Sequence, residues 1–156
     1  KEQEDILVDF LTENISLFKD NNLKITFESD FSPLPLKDFI NRFPEDFFGI
    51  NYDIGNSAAL NYDPILEFYS YGNRILNVHI KDRELFGSTV PLGKGNADFE
   101  KVFSLLNHIG YSGNLILQTA RSAENDHVKS LCEYRSMVLK WLKQSNLIMN
   151  QGSYDA

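Results

Sequence analysis

Residues 75–83 read ILNVHIKDR: an apolar run from Ile75 to Ile80 that reads as a strand and carries a histidine, His79, near its end. Three more strand-like runs end in a polar residue of metal-ligand type. They are KITFESD at 24–30 with Glu28, FGINYDIGN at 48–56 with Asp53, and NLILQTAR at 114–121 with Gln118. If the four strands are parallel neighbours, all four side chains emerge at one edge of one sheet. That is the edge where α/β proteins place their chemistry.

The segments between these strands are helical in pattern. Ile6, Leu7, Phe10, Leu11, Ile15 and Phe18 recur at helical spacing over residues 4–19, before Asp20, Asn21 and Asn22 break the pattern. Pro33 and Pro35 read as a loop, followed by a short helix over 36–43 that stops at Pro44. Asp63 and Pro64 open a helix that ends near Gly72, residues 97–108 form another with Gly110 beyond it, and a last one runs from about Asp126 to Gln144. Residues 82–96 read as a long loop, and residues 145–156 as a frayed tail.

The order is therefore an opening helix followed by four βα units. Strands separated by helices are joined by right-handed crossovers and form a parallel sheet. The four polar strand ends are 25, 26 and 39 residues apart, natural lengths for βα units with an insertion after the third strand. No Gly-rich dinucleotide fingerprint follows a strand, and Gly93-Lys94-Gly95 is too short for a phosphate-binding Walker loop. The expected fold is α/β, with parallel βα units forming half of a (β/α)8 barrel in a single domain over residues 1–156.

Composition bounds the function. The chain has 156 residues, 42% hydrophobic and 24% charged, with 12 phenylalanines to fill an interior. A formal net charge of -7 argues against general nucleic-acid binding, which rests on neutralising phosphates. One cysteine, Cys132, excludes an intramolecular disulfide framework, fits a reducing compartment and reads as a packing residue of the last helix. No apolar run approaches the length of about 20 residues that a membrane span needs. The amphipathic start is unlike a secretory signal. Cytoplasmic residence with no membrane partner is the expectation.

Glu28, Asp53, His79 and Gln118 together offer three side-chain oxygens and one imidazole nitrogen. Divalent ions accept such a set, and the imidazole favours manganese, cobalt or zinc over magnesium. The plainer alternative is that each residue separately caps its strand or bonds a neighbouring loop.

The surrounding motifs carry a family resemblance. YDIGNSAALNYDP at 52–64 is similar to the D-x-G-N segment of sugar-phosphate isomerases and epimerases of the xylose-isomerase-like TIM-barrel superfamily. NVHIKDR at 77–83 resembles that family's seventh-strand motif, VPLGKGNADFEKVF at 90–103 its following loop, and GYSGNLILQ at 110–118 its approach to the eighth strand. The resemblance runs from about Lys24 to Gln118 and implies that the chain is the C-terminal half of the barrel, strands five to eight. It further implies that Glu28, Asp53 and His79 ligate a metal, with Gln118 at the fourth ligand position, where the family carries a glutamate. In the family, two glutamates at these positions flank a sugar or sugar-phosphate and pass protons to and from carbon. The metal polarises the carbonyl and stabilises an enediolate.

Glu28 keeps the first catalytic position and Gln118 departs from the second. An amide oxygen coordinates metal but does not accept and return a proton as a carboxylate does. The substitution favours isomerisation by one base on one face over two-base epimerisation. It equally fits a catalytically weakened sugar-binding or scaffold domain. A repair endonuclease similar to endonuclease IV, which uses a histidine-rich zinc cluster, is disfavoured by three histidines in all and the acidic charge.

Second-tier positions follow. Asn56 suits a substrate hydroxyl, a support for the metal site, or a plain turn after Gly55. Lys81 and Arg83 could meet an anionic substrate, with Asp82 orienting one of them, and Arg83 is favoured because a guanidinium grips phosphate in a bidentate manner. Lys94 fits a phosphate contact or a solvated turn, and Arg121 a substrate contact or a loop-closing ion pair. His108 and His127 read as surface or capping residues, and Tyr69, Phe99, Phe103, Tyr134 and Trp141 as packing. A half-barrel leaves two strand edges unpaired. With Lys1 in place of an initiating methionine, the expectation is a fragment of a longer protein, or a chain that associates with another half-barrel.

Overall fold

The computed structural model describes residues 2–146. Four parallel strands form one sheet in the order β1-β2-β3-β6: β1 Ile25–Phe27, β2 Phe48–Asp53, β3 Ile75–Ile80 and β6 Asn114–Leu117. Chain order and spatial order agree, as successive right-handed βα units require. The helices are α1 Glu2–Glu13, α2 Ile15–Asp20, α3 Pro33–Ile40, α4 Ile54–Ala59, α5 Pro64–Tyr71, α6 Phe99–His108 and α7 His127–Ser145.

The helical face of the sheet is dry. Phe48, Ile50, Val78 and Ile80 bury their side chains against Ile40, Phe103 and Leu106. Phe27, Phe39, Phe43 and Phe48 form an aromatic cluster with ring centroids 4.9–6.2 Å apart. Each fully buried ring of this kind stabilises the fold by about 1.5–3 kcal/mol. Trp141 stacks on Phe99 at 4.2 Å and ties α7 to α6.

The other face is polar. A register shift between Ile50 and Asn51 makes Leu76 an extra residue on β3, after which Asn51 stands beside Asn77 and Asp53 beside His79. Asn77 in turn pairs with Asn114, and His79 with Ile116. From the shift onward, the alternation of strand side chains carries Asn51, Asp53, Asn77 and His79 to the face away from the helices.

Several expectations are corrected. The opening helix is two, because Asn14 turns its amide onto the Phe10 carbonyl 2.7 Å away and competes with the ladder. Helix α3 begins at Pro33 rather than at residue 36, since a proline in the first turn sacrifices only an N–H that has no helical partner. Helix α4 has no apolar period in IGNSAA and forms because Asp53 caps it, accepting from the Asn56 N–H at 2.8 Å. The loop after β3 contains a short antiparallel ribbon, β4 Asp82–Arg83 with β5 Thr89–Val90. Tyr69 is 83% exposed, on the face of α5 opposite buried Phe68, and Cys132 is exposed on α7, so neither packs in the core. Of the expected tail, Ser145 closes α7 and residues 147–156 lie outside the described residues. No helix among the described residues is long and apolar enough to cross a membrane.

Candidate metal centre

Glu28 follows the last residue of β1, Asp53 ends β2, and His79 is the penultimate residue of β3. Parallel register sets them side by side: Asp53 pairs with His79, and Glu28 stands one step beyond the Phe27–Ile50 pair. Their ligand atoms lie within 4.8 Å of one another. His79 Nδ1 is 3.2 Å from Glu28 Oε2 and 3.7 Å from Asp53 Oδ2. Ligands about 2.0–2.2 Å from one ion stand roughly 3–4 Å apart, so the donor set fits a divalent metal. The Asp53 side chain is 1% exposed, His79 17% and Glu28 37%, which opens the cluster on the Glu28 side.

Each ligand is held. Glu28 Oε2 accepts from Asn51 Nδ2 at 2.7 Å and Oε1 from Asn56 Nδ2 at 2.9 Å. Arg83 Nη1 donates to Asn56 Oδ1 at 2.9 Å, and Asn77 Nδ2 to Asn51 Oδ1 at 2.7 Å. Asn51 Nδ2 also lies 3.1 Å from His79 Nδ1. Sequence reasoning passed over Asn51 and Asn77. The available signal was their position two residues before Asp53 and His79, on the same strand face.

Gln118 is exposed, just past β6, and extends the ladder through its N–H to the Ile80 carbonyl at 3.1 Å. Its side chain is bound from below: Lys81 Nζ reaches Gln118 Oε1 at 3.0 Å and Asp53 Oδ2 at 3.3 Å. Lys81 thus belongs to the cluster itself. Arg83 does not hang free beside it, because its guanidinium also donates to the Gly87 carbonyl from Nε at 3.1 Å and from Nη2 at 2.7 Å. Asp82 orients neither cation. It is fully buried and accepts the backbone N–H groups of Gly93, Gly95 and Ala97 at 2.8–3.1 Å, which fixes the loop. Lys94 is exposed at the tip of that loop, and Arg121 is exposed beside a depression of about 160 Å³ lined by His127 and Tyr134. His127 accepts from the Ser122 N–H, and His108 is exposed at the end of α6.

Behind the cluster lies a cavity of about 20 Å³, roughly one water in size, bordered by Glu28, Asp53 and buried Glu67. The Glu67 carboxylate accepts from Tyr52, Ser57 and Tyr71. Burial raises its pKa while these three hydroxyls pull it down. Tyr52 and Tyr71 are raised by burial and then by the Glu67 charge.

Comparison with known proteins gives the same architecture. The family model described as xylose isomerase-like TIM barrel matches residues 1–142. An L-ribulose-5-phosphate 3-epimerase of Escherichia coli O1:K1 is 25% identical over 134 residues, covering 80% of this chain and 47% of the relative. The chain spans about half the length of the curated relatives it matches over most of its own length. Among solved structures, a xylose isomerase domain protein from Planctomyces limnophilus superposes with a TM-score of 0.72 at 22% identity, over 93% of this chain and 54% of that one. The IOLI protein, solved with a bound zinc atom, superposes with a TM-score of 0.71 at 21% identity, over 90% of this chain and 56% of that one.

Proposed function

The chain belongs to the xylose isomerase-like TIM barrel family, as a partial barrel of four parallel strands, and on that premise we propose a metal-dependent sugar or sugar-phosphate isomerase/epimerase. The observation that carries the reading is the in-register triad Glu28, Asp53 and His79, whose donor atoms converge within 4.8 Å at the carboxyl edge of the sheet. Similarity to an L-ribulose-5-phosphate 3-epimerase supports the substrate class. The residues correspond to the last four βα units of the barrel, and the substrate pocket is completed by a further half-barrel.

Glu28, Asp53 and His79 would hold a divalent ion, and Gln118, joined to Asp53 through Lys81, is the candidate fourth ligand. When bound, such an ion would supply polarisation of the substrate carbonyl and stabilisation of the charge developing on its oxygen. Glu28 is the base. Its carboxylate removes the proton from the hydroxyl-bearing carbon beside the carbonyl and returns it to the former carbonyl carbon on the same face, while the hydroxyl proton passes to the former carbonyl oxygen. Asn51 and Asn56 fix both of its oxygens, so the proton leaves along one direction. Lys81 holds Gln118 and Asp53 together and presents positive charge to the substrate oxygens. Gln118 moves no proton, which favours aldose–ketose isomerisation on one face over two-base epimerisation.

The Gln118 amide also favours a second reading, a sugar-binding domain of the same fold with weakened catalysis. Bound metal is measured first, by elemental analysis. The chain and Gln118→Glu are then assayed on L-ribulose 5-phosphate and on the corresponding aldose phosphates. Isomerisation by the native chain that falls in Gln118→Glu supports the isomerase. Activity that appears only once the carboxylate is restored establishes the weakened domain instead.

A further inference from the structure

The barrel level beneath the triad is built from amides. At positions where barrel interiors ordinarily pack branched apolar side chains, the register sets Asn51, Asn77 and Asn114 in a row beside Glu28. Asn51 is 8% exposed, so its amide must be satisfied inside the protein. An amide has one accepting and one donating end. Asn77 Nδ2 takes the accepting end of Asn51 at 2.7 Å, which turns the donating end onto Glu28 Oε2 at 2.7 Å, with both ring nitrogens of His79 3.1–3.2 Å away. The reverse orientation would face the Asn51 oxygen with the Glu28 carboxylate and set two NH2 groups against each other. Hydrogen bonding therefore gives the chain one direction, from Asn77 through Asn51 to Glu28.

We infer that Asn51, oriented by Asn77, is a positioning residue that sets Glu28 in ligand geometry before the metal arrives. The inference rests on the metal-centre reading. A carboxylate already oriented loses less freedom on binding, and outer partners of metal ligands change affinity by about 10–100-fold.

The test is calorimetric titration of Mn²⁺ into the chain, Asn51→Leu, Asn77→Leu and the double variant, with thermal unfolding of each. Co²⁺ absorption in the visible reports ligand geometry in the same proteins. The expected result is a loss of about tenfold or more for Asn51→Leu and a smaller loss for Asn77→Leu. Asn77→Leu adds nothing once Asn51 is gone, because it acts only through that amide. The Co²⁺ spectrum changes in both single variants. Wild-type affinity in the two variants, or an Asn77→Leu loss of equal size in both backgrounds, overturns the inference. If Asn51→Leu does not fold, Asn51→Ser carries the same comparison. A wild-type chain that takes up no Mn²⁺ overturns the metal-centre reading and this inference together, an outcome distinct from metal binding that ignores Asn51.

Discussion

The two flanks of the candidate centre are built differently. On the β1–β3 flank every polar group has several partners: Glu28 has two amides, Asp53 a backbone N–H and a lysine, and each amide is itself oriented by a second residue. On the β6 flank the Gln118 side chain is exposed and rests on Lys81 alone among the described residues. One flank is arranged before any ligand arrives, and the other depends on what binds. The difference shows how a ligand cluster is made rigid: the strands supply the register, and cross-strand amides set the angles.

The contrast breaks most directly at its two ends. Glu28→Gln removes both a ligand and the base, and turnover falls by about 10²–10⁴-fold. Gln118→Ala, on the sparse flank, costs less than about tenfold in Mn²⁺ affinity. Equal losses in both assays would erase the distinction between the flanks. The next largest effect concerns stability. Asp82→Ala strands three backbone donors and lowers the urea-derived unfolding free energy by about 2–4 kcal/mol, whereas a change under the error of the fit would mean that the loop is held some other way.

A third effect depends on pH. Burial raises the Glu67 carboxyl, so its folded pKa lies above the ordinary value of 4.5. The folded state then binds its proton more tightly than the unfolded state. The stability this contributes is complete below 4.5 and lost as pH rises through the folded value. Glu67→Gln stays neutral, so its urea midpoint gains on wild type over the range above the ordinary carboxylate value. A constant gap across that range removes the expected linkage. The smallest effect belongs to a residue outside either flank. Tyr69→Ser, on the exposed face of α5, shifts stability by under about 0.5 kcal/mol, and a larger drop would show that its ring is covered in solution.

Strands were the legible part of this sequence. Ile75–Ile80 was read to the residue because an apolar run with a polar end has few other solutions. The positions of Glu28, Asp53 and His79 followed from the same runs. Asn51 and Asn77 escaped because a search for apolar runs treats an asparagine as an interruption. Helix α4 escaped because a cap, not a periodicity, specifies it. Asp82, expected beside a cation, serves backbone N–H groups eleven to fifteen residues ahead, and backbone donors leave no trace in residue types. Lys81 and Arg83 were both read as anion contacts, with Arg83 favoured. Two residues along a strand end separate one that faces the ligands from one folded back onto Gly87.

The Asp82 arrangement has a consequence for recognition. Three N–H groups converging on one carboxylate oxygen pair are what a phosphate seeks in a glycine-rich turn. Here the turn carries its own resident anion, and the tight fit of Gly95 against Asp82 leaves no space even for a methyl group. The turn therefore carries its own counter-charge in the Asp82 carboxylate. An anion approaching Gly93–Ala97 finds these N–H groups already occupied by Asp82.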